Sequence, residues 1–163
     1  MGGLAFFFVG AVLFVTAMLI MGKADPKNVG VLHAILGILL FVMVIITLIT
    51  AKGPGDYFFV FVLLLFVFTY LPVATTYIFS FDAKAVGWYC LVVAIFTIPA
   101  GLHMWEAAYK TSILLWIYGG LWFCFYLLMG LGKAGMTKFV GYYTLVVSFL
   151  ALVPGYLMLL EKW

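Results

Sequence analysis

The chain has 163 residues, 69% of them hydrophobic and 8% charged, with a net charge of +3 from eight basic and five acidic side chains. A soluble surface draws on about a quarter of charged residues, so this balance excludes a soluble domain and a disordered chain. It excludes a nucleic-acid binder too, because the basic residues are lysines scattered singly rather than grouped in a patch.

Lipid is therefore the solvent. A span needs about 20 apolar residues to cross some 30 Å of hydrocarbon, and such runs cover residues 4–21, 29–50, 57–79, 86–104, 112–131 and 140–160. The expected fold is all-α: a polytopic membrane protein with six transmembrane helices in a single transmembrane domain over residues 1–163. The first run opens close to Met1, without a positive segment or a small-residue cleavage site, so it reads as a permanent span rather than a signal peptide.

Taken in order, the first run carries Val9, Leu13 and Thr16 on one helical face, and the second carries His33 near its start. The third carries a stripe of Phe68, Pro72 and Thr75, with Thr76 beside it. The fourth contains Cys90 and Pro99 and ends at His103, with Glu106 just beyond. The fifth has Leu114, Tyr118, Leu121, Trp122 and Phe125 at helical spacing, with Cys124 among them, and the sixth has Thr144, Ser148 and Pro154. Trp88, Tyr89, Trp105, Tyr109 and Trp163 stand at span ends, where aromatic belts form.

Short breaks separate the runs and hold nearly every charge. The first, third and fifth contain Lys23, Lys27, Lys84, Lys133 and Lys138, against Lys52, Lys110 and Lys162 on the other side. The positive-inside rule then puts both termini outside and the odd breaks in the cytoplasm. Those odd breaks pair lysine with aspartate or a helix breaker, a rhythm that predicts three two-helix hairpins, each turning at an odd break.

No span holds Asp, Glu, Lys or Arg in its central part. Proton-coupled transporters, pumps and voltage sensors place such residues there, so the expected cargo is small and uncharged. Pro72, Pro99 and Pro154 each free a backbone carbonyl that needs a polar neighbour. Hydroxyls of Thr16, Thr69, Thr75, Thr76, Thr97, Thr144 and Ser148 could line a passage with them. His33 and His103 fall towards opposite ends of the membrane and cannot share a haem. They read as hydrogen-bonding histidines, with His103 and Glu106 as the candidate pH-sensitive pair. The two cysteines read as small buried hydrophobes. No nucleophile lies beside a base, so no catalytic residue, cofactor or metal is expected, and the protein is not read as an enzyme. The residues alone lead to a six-helix bundle for a small neutral solute. A non-transporting membrane assembly partner and a water or ammonia channel stay open beside it.

Three groups of motifs narrow this. Met1-Gly2-Gly3-Leu4, Val9-Gly10-Ala11-Val12-Leu13 and Lys23-Ala24-Asp25-Pro26-Lys27 come first. Phe68-Thr69-Tyr70-Leu71, Asp82, Trp88-Tyr89, Val93-Ala94-Ile95 and Ile98-Pro99-Ala100 follow. Tyr118-Gly119-Gly120-Leu121-Trp122, Lys138-Phe139 and Val153-Pro154-Gly155-Tyr156 complete the series. In that order, over the whole chain, they resemble the AmiS/UreI family of urea and short-chain amide channels.

The resemblance implies outside termini and six spans in a plasma or inner membrane. It also implies a homo-hexameric ring in which each protomer has its own pore, with a functional link to a cytoplasmic urease or amidase. Carried over by position, Val9, Leu13, Phe68, Leu115, Tyr118, Leu121 and Trp122 would line two constrictions. Pro72, in the same stripe as Phe68, is expected to line the pore with them, and Thr16, Thr75, Thr76 and Ser148 to form a polar wall. The sequence departs from the family where a last-span glutamate often stands (here Val146 and Val147), where Pro72 replaces an aromatic, and where Leu115 replaces a tryptophan. Acid-gated relatives carry a long histidine-rich outer loop between the second and third spans. Here that break is only Ala51-Lys52-Gly53-Pro54-Gly55-Asp56, so the expected channel stays open at neutral pH.

Overall fold

The computed structural model describes residues 2–163; Met1, which opens the first matched motif, lies outside them. Five long helices carry the fold: α1 (Gly2–Ile20), α2 (Pro26–Thr50), α3 (Pro54–Phe79), α4 (Lys84–Phe125) and α5 (Thr137–Leu159). A π-helical turn, Tyr126–Gly130, extends α4, and a 3₁₀ turn, Ala134–Met136, precedes α5. All five are long and apolar enough to cross a membrane.

Helices α2 and α3 begin before the apolar runs that announce them, and both begin on proline. The missing N–H of a first-turn proline costs nothing, because that donor has no partner in a helix anyway. Asp25 caps α2 by accepting the Asn28 N–H at 3.0 Å. Asp56 caps α3 from within, accepting the Lys52 and Gly53 N–H groups at 2.7 and 3.2 Å. Hydropathy alone omits these polar first turns. Helix α1 stops at Gly22, whose φ of 73° suits glycine and lets the Lys23 N–H reach the Met18 carbonyl at 2.8 Å.

The fourth and fifth predicted runs form one element, α4, interrupted at Ala108 (φ −154°, ψ 56°). Straight, its 42 residues would extend ~63 Å. Instead the chain folds back at Ala108. Gly87 lies against Gly130, Thr97 against Gly119, and Gly101 against Trp116, so contacting positions close in on Ala108 from both sides. Trp116 Nε1 donates to the Ile98 carbonyl at 3.3 Å across the two arms, residues 84–107 and 109–125.

The other close pairs are α1 with α5 and α2 with α3, both antiparallel. Glycine makes each possible. A methyl at Gly10 would lie 2.8 Å from the Ser148 carbonyl oxygen, and one at Gly37 would lie 2.7 Å from Leu71 Cγ. This corrects the predicted hairpins. The intimate pairs are joined by the second break, by the fold at Ala108, and by the meeting of the first and last helices, not by the odd breaks. Lysine-bearing turns report on membrane sidedness, whereas small residues decide which helices can approach.

Candidate functional site

Three voids lie between α1, α2, α3 and the two arms of α4: two side by side along residues 55–66 of α3, and a third beyond Phe66. The first, about 170 Å³, is lined by Gly55, Phe58, Phe59, Met104, Thr111 and Leu115, among others. The second, about 40 Å³, lies between Ala5, Val9, Leu40, Val62 and Leu63. The third, also about 40 Å³, is bounded by Leu13, Thr16, His33, Thr69, Tyr70, Val73, Tyr77, Cys90, Leu121, Phe125 and Met129. One side chain borders all three: Phe66. From Gly55 to Tyr77 the voids together follow α3 for ~33 Å, close to the thickness of a bilayer's hydrocarbon core, about 30 Å.

Phe66 is the centre of an aromatic collar. Its ring meets Trp122 edge-on at 4.8 Å and Tyr118 at 5.4 Å, and stacks on Tyr70 at 6.5 Å. Phe6 adds a tilted ring against Tyr118 at 6.1 Å. Flat rings held edge to face leave slots rather than round holes. The Tyr118 hydroxyl is buried here without a hydrogen-bond partner.

The polar groups beyond the collar have a common bias. The Thr16 and Thr69 hydroxyls donate to the Val12 and Leu65 carbonyls of their own helices, at 2.8 and 2.7 Å. With the proton so used, each offers lone pairs. No Asp, Glu, Lys or Arg lines any of the three voids. A dehydrated ion would find no countercharge, whereas a neutral molecule with N–H groups would find acceptors.

Of the residues singled out from sequence, Leu13, Thr16, Tyr118, Leu121 and Trp122 border the third void, Val9 the second and Leu115 the first. Others stand elsewhere. Phe68 is 57% exposed and packs on Tyr89 at 6.4 Å. Pro72, Thr75 and Thr76 share that outward side of α3, where both hydroxyls donate to the Pro72 carbonyl. Ser148 is fully buried in the α1/α5 seam. Thr97 packs on Gly119 between the arms of α4, and Thr144 is fully buried on α5. His103 and Glu106 are exposed and border no void; the His103 ring packs on Phe58 at 4.6 Å. Reasoning from sequence passed over Phe6, Phe66, Tyr70, Tyr77 and Met129, and it gave His33 only a hydrogen-bonding role. The π-helical turn places Met129 at the third void while seating Gly130 on Gly87.

Comparison with known proteins decides the kinship. The profile of the AmiS/UreI family transporter matches residues 1–162. The chain belongs to the AmiS/UreI family. A Mycolicibacterium smegmatis protein named as a transporter of amidate substrates is 33% identical, over 100% of this chain and 78% of that protein. The acid-activated urea channel of Helicobacter pylori strain J99 is 28% identical, over 99% and 98%. Among solved structures, the crystal structure of the H. pylori urea channel superposes with a TM-score of 0.90 at 27% identity, covering 100% of this chain and 99% of that one. The cryo-EM structure of that channel in its closed state gives the same TM-score at 26% identity, with full coverage of both chains. This AmiS/UreI member is thus an all-helical, multi-pass membrane protein whose relatives are channels and transporters, not enzymes.

Proposed function

We propose that this protein is a passive channel for small neutral amides, either urea or short-chain aliphatic amides. The observation that carries the reading is the set of uncharged voids on either side of the Phe66 collar, which together span a bilayer's length along α3. Val9, Leu13, Phe66, Leu115, Tyr118, Leu121 and Trp122 form the selective wall, and Thr16, with Thr69, its polar lining. A flat amide can slip between ring faces while its edges meet hydroxyl lone pairs. Losing an amide's hydrogen bonds costs about 2–7 kcal/mol if nothing replaces them. Stripping an ion costs far more.

The finer arrangement follows the same reading. The two arms of α4 each cross the membrane, giving six spans in a single transmembrane domain with both termini outside a plasma or inner membrane. The lysine distribution supports that orientation. Protomers assemble as a homo-hexamer in which each has its own passage, and the cargo feeds a cytoplasmic urease or amidase. The connection between α2 and α3 is only residues 51–53 and holds no histidine, which supports a passage open at neutral pH.

Stopped-flow flux into proteoliposomes tests this, using urea, acetamide and a charged analogue such as guanidinium. Urea or acetamide should enter well above the protein-free rate, and guanidinium should not. Exclusion of both neutral solutes, with no water or ammonia flux either, would leave a non-transporting assembly partner. Water or ammonia flux without urea or acetamide flux would make this a channel for those smaller molecules.

A further inference from the structure

We propose that His33 and Thr16 form a fixed docking station for an N–H group of the permeant at the far side of the aromatic collar. This specificity-determining pair rests on the channel reading above. His33 is 3% exposed and borders the third void. Its ring is held by Tyr70 at 5.3 Å and, edge-on, by Tyr77 at 5.6 Å. Nδ1 lies 2.9 Å from the Val29 carbonyl oxygen. A carbonyl only accepts, so in the neutral ring the proton sits on Nδ1 and Nε2 presents a lone pair.

Nε2 faces Thr16 Oγ1 at 3.3 Å. The single Thr16 proton goes to the Val12 carbonyl at the shorter distance of 2.8 Å. With the Thr16 proton on that carbonyl, Oγ1 and Nε2 face each other as two acceptors beside the void. Mutual repulsion of the lone pairs is relieved when a third group inserts a donor that both can share. Separated by 3.3 Å, they suit one bifurcated N–H. An amide or urea supplies such a proton on its –NH₂ edge, while its carbonyl edge is left for the unpartnered Tyr118 hydroxyl. The two edges of the solute are thus read by groups of opposite character, an acceptor pair and a donor. A solute of the same shape without N–H would meet two lone pairs and be disfavoured.

The test combines flux with a spectroscopic readout. His33→Leu should lower urea and acetamide flux per channel by roughly three- to tenfold, as expected for one neutral hydrogen bond. His33→Gln, which can return an acceptor oxygen to the Nε2 position, should recover most of it. Thr16→Val keeps the shape, removes the second acceptor and should give an intermediate loss. Circular dichroism and gel filtration identify any variant that fails to fold.

The chain has two histidines, so in a His103→Asn background the ¹⁵N resonances of His33 stand alone. Adding urea should shift Nε2 and leave Nδ1 in place. Equal flux in wild type and folded His33→Leu, or an Nε2 resonance indifferent to urea, would overturn the docking station while leaving the channel intact. Absence of flux in wild type would instead overturn the channel reading, and the station with it.

Discussion

Helix α1 has two neighbouring faces, and they are built on opposite principles. Towards α5 it presents Gly3 and Gly10, where an added methyl would come within 2.9 Å of backbone atoms of the partner helix. Towards the voids it presents Val9, Leu13 and Thr16. The seam works by removing side chains until two backbones touch, since lipid supplies no hydrophobic force between helices and close dispersion contact must hold them. The void-lining wall works by the reverse: rigid rings from α3 and the second arm of α4 meet edge to face, with Phe6 of α1 tilted against Tyr118, and cannot fill the space between them. One wall tolerates no added atom, whereas the other is specified by the gaps it leaves.

The largest effect should come from disturbing the seam. Gly10→Ala places a methyl 2.7 Å from the Leu152 nitrogen and 2.8 Å from the Ser148 oxygen, both on the backbone of α5. The helices must separate, at a cost of about 3 kcal/mol. A clear drop in the detergent-solubilised melting temperature is expected, and an unchanged Tm would mean the seam is not close-packed. A smaller and differently signed effect is expected at the collar. Tyr118→Phe removes a hydroxyl with no protein partner, so stability should hold or rise by up to about 1 kcal/mol, with Tm unchanged or higher. Urea flux should nevertheless fall several-fold, because a donor for the carbonyl edge is gone. A fall in Tm with unaltered flux would assign Tyr118 to packing instead. The smallest effect is expected on the outer side of α3. Phe68→Ala removes a ring that is 57% exposed and borders no void, and should leave flux through reconstituted protein within about twofold, in line with the small effect of most surface changes. A large loss would place Phe68 in the passage.

That last residue shows what could and could not be read from the chain. In a water-soluble helix the polar side announces the outside, but α3 is apolar all round, with Phe59 and Phe66 on one side and Phe61 and Phe68 on the other. Lipid asks for the same residues as the interior, so periodicity could not choose between the Phe68 and Phe66 stripes, which lie two residues apart. The fifth predicted run was legible because Tyr118 and Trp122 are amphipathic rings well inside a span, with Leu121 beside them. His33, Thr16 and Tyr70 carried a comparable signal. Each brings polar atoms into hydrocarbon, where such atoms must find partners or border a cavity.

The pairing of helices was obscured for a related reason. Loop charges respond to membrane sidedness, and the closeness of two helices depends on where glycines such as Gly37 and Gly87 meet their neighbours.

By itself, then, the sequence determined the solvent, the helical runs, and spans that carry no fixed charge in their central parts. Those properties depend on composition and local spacing. Only the tertiary structure decided which helices touch, which ring of α3 stands in the collar, and that two acceptors from different helices share one void. Such properties depend on the rotation of each helix about its axis, and in a chain whose lipid-facing and inward-facing residues are equally apolar, that rotation is fixed by packing alone.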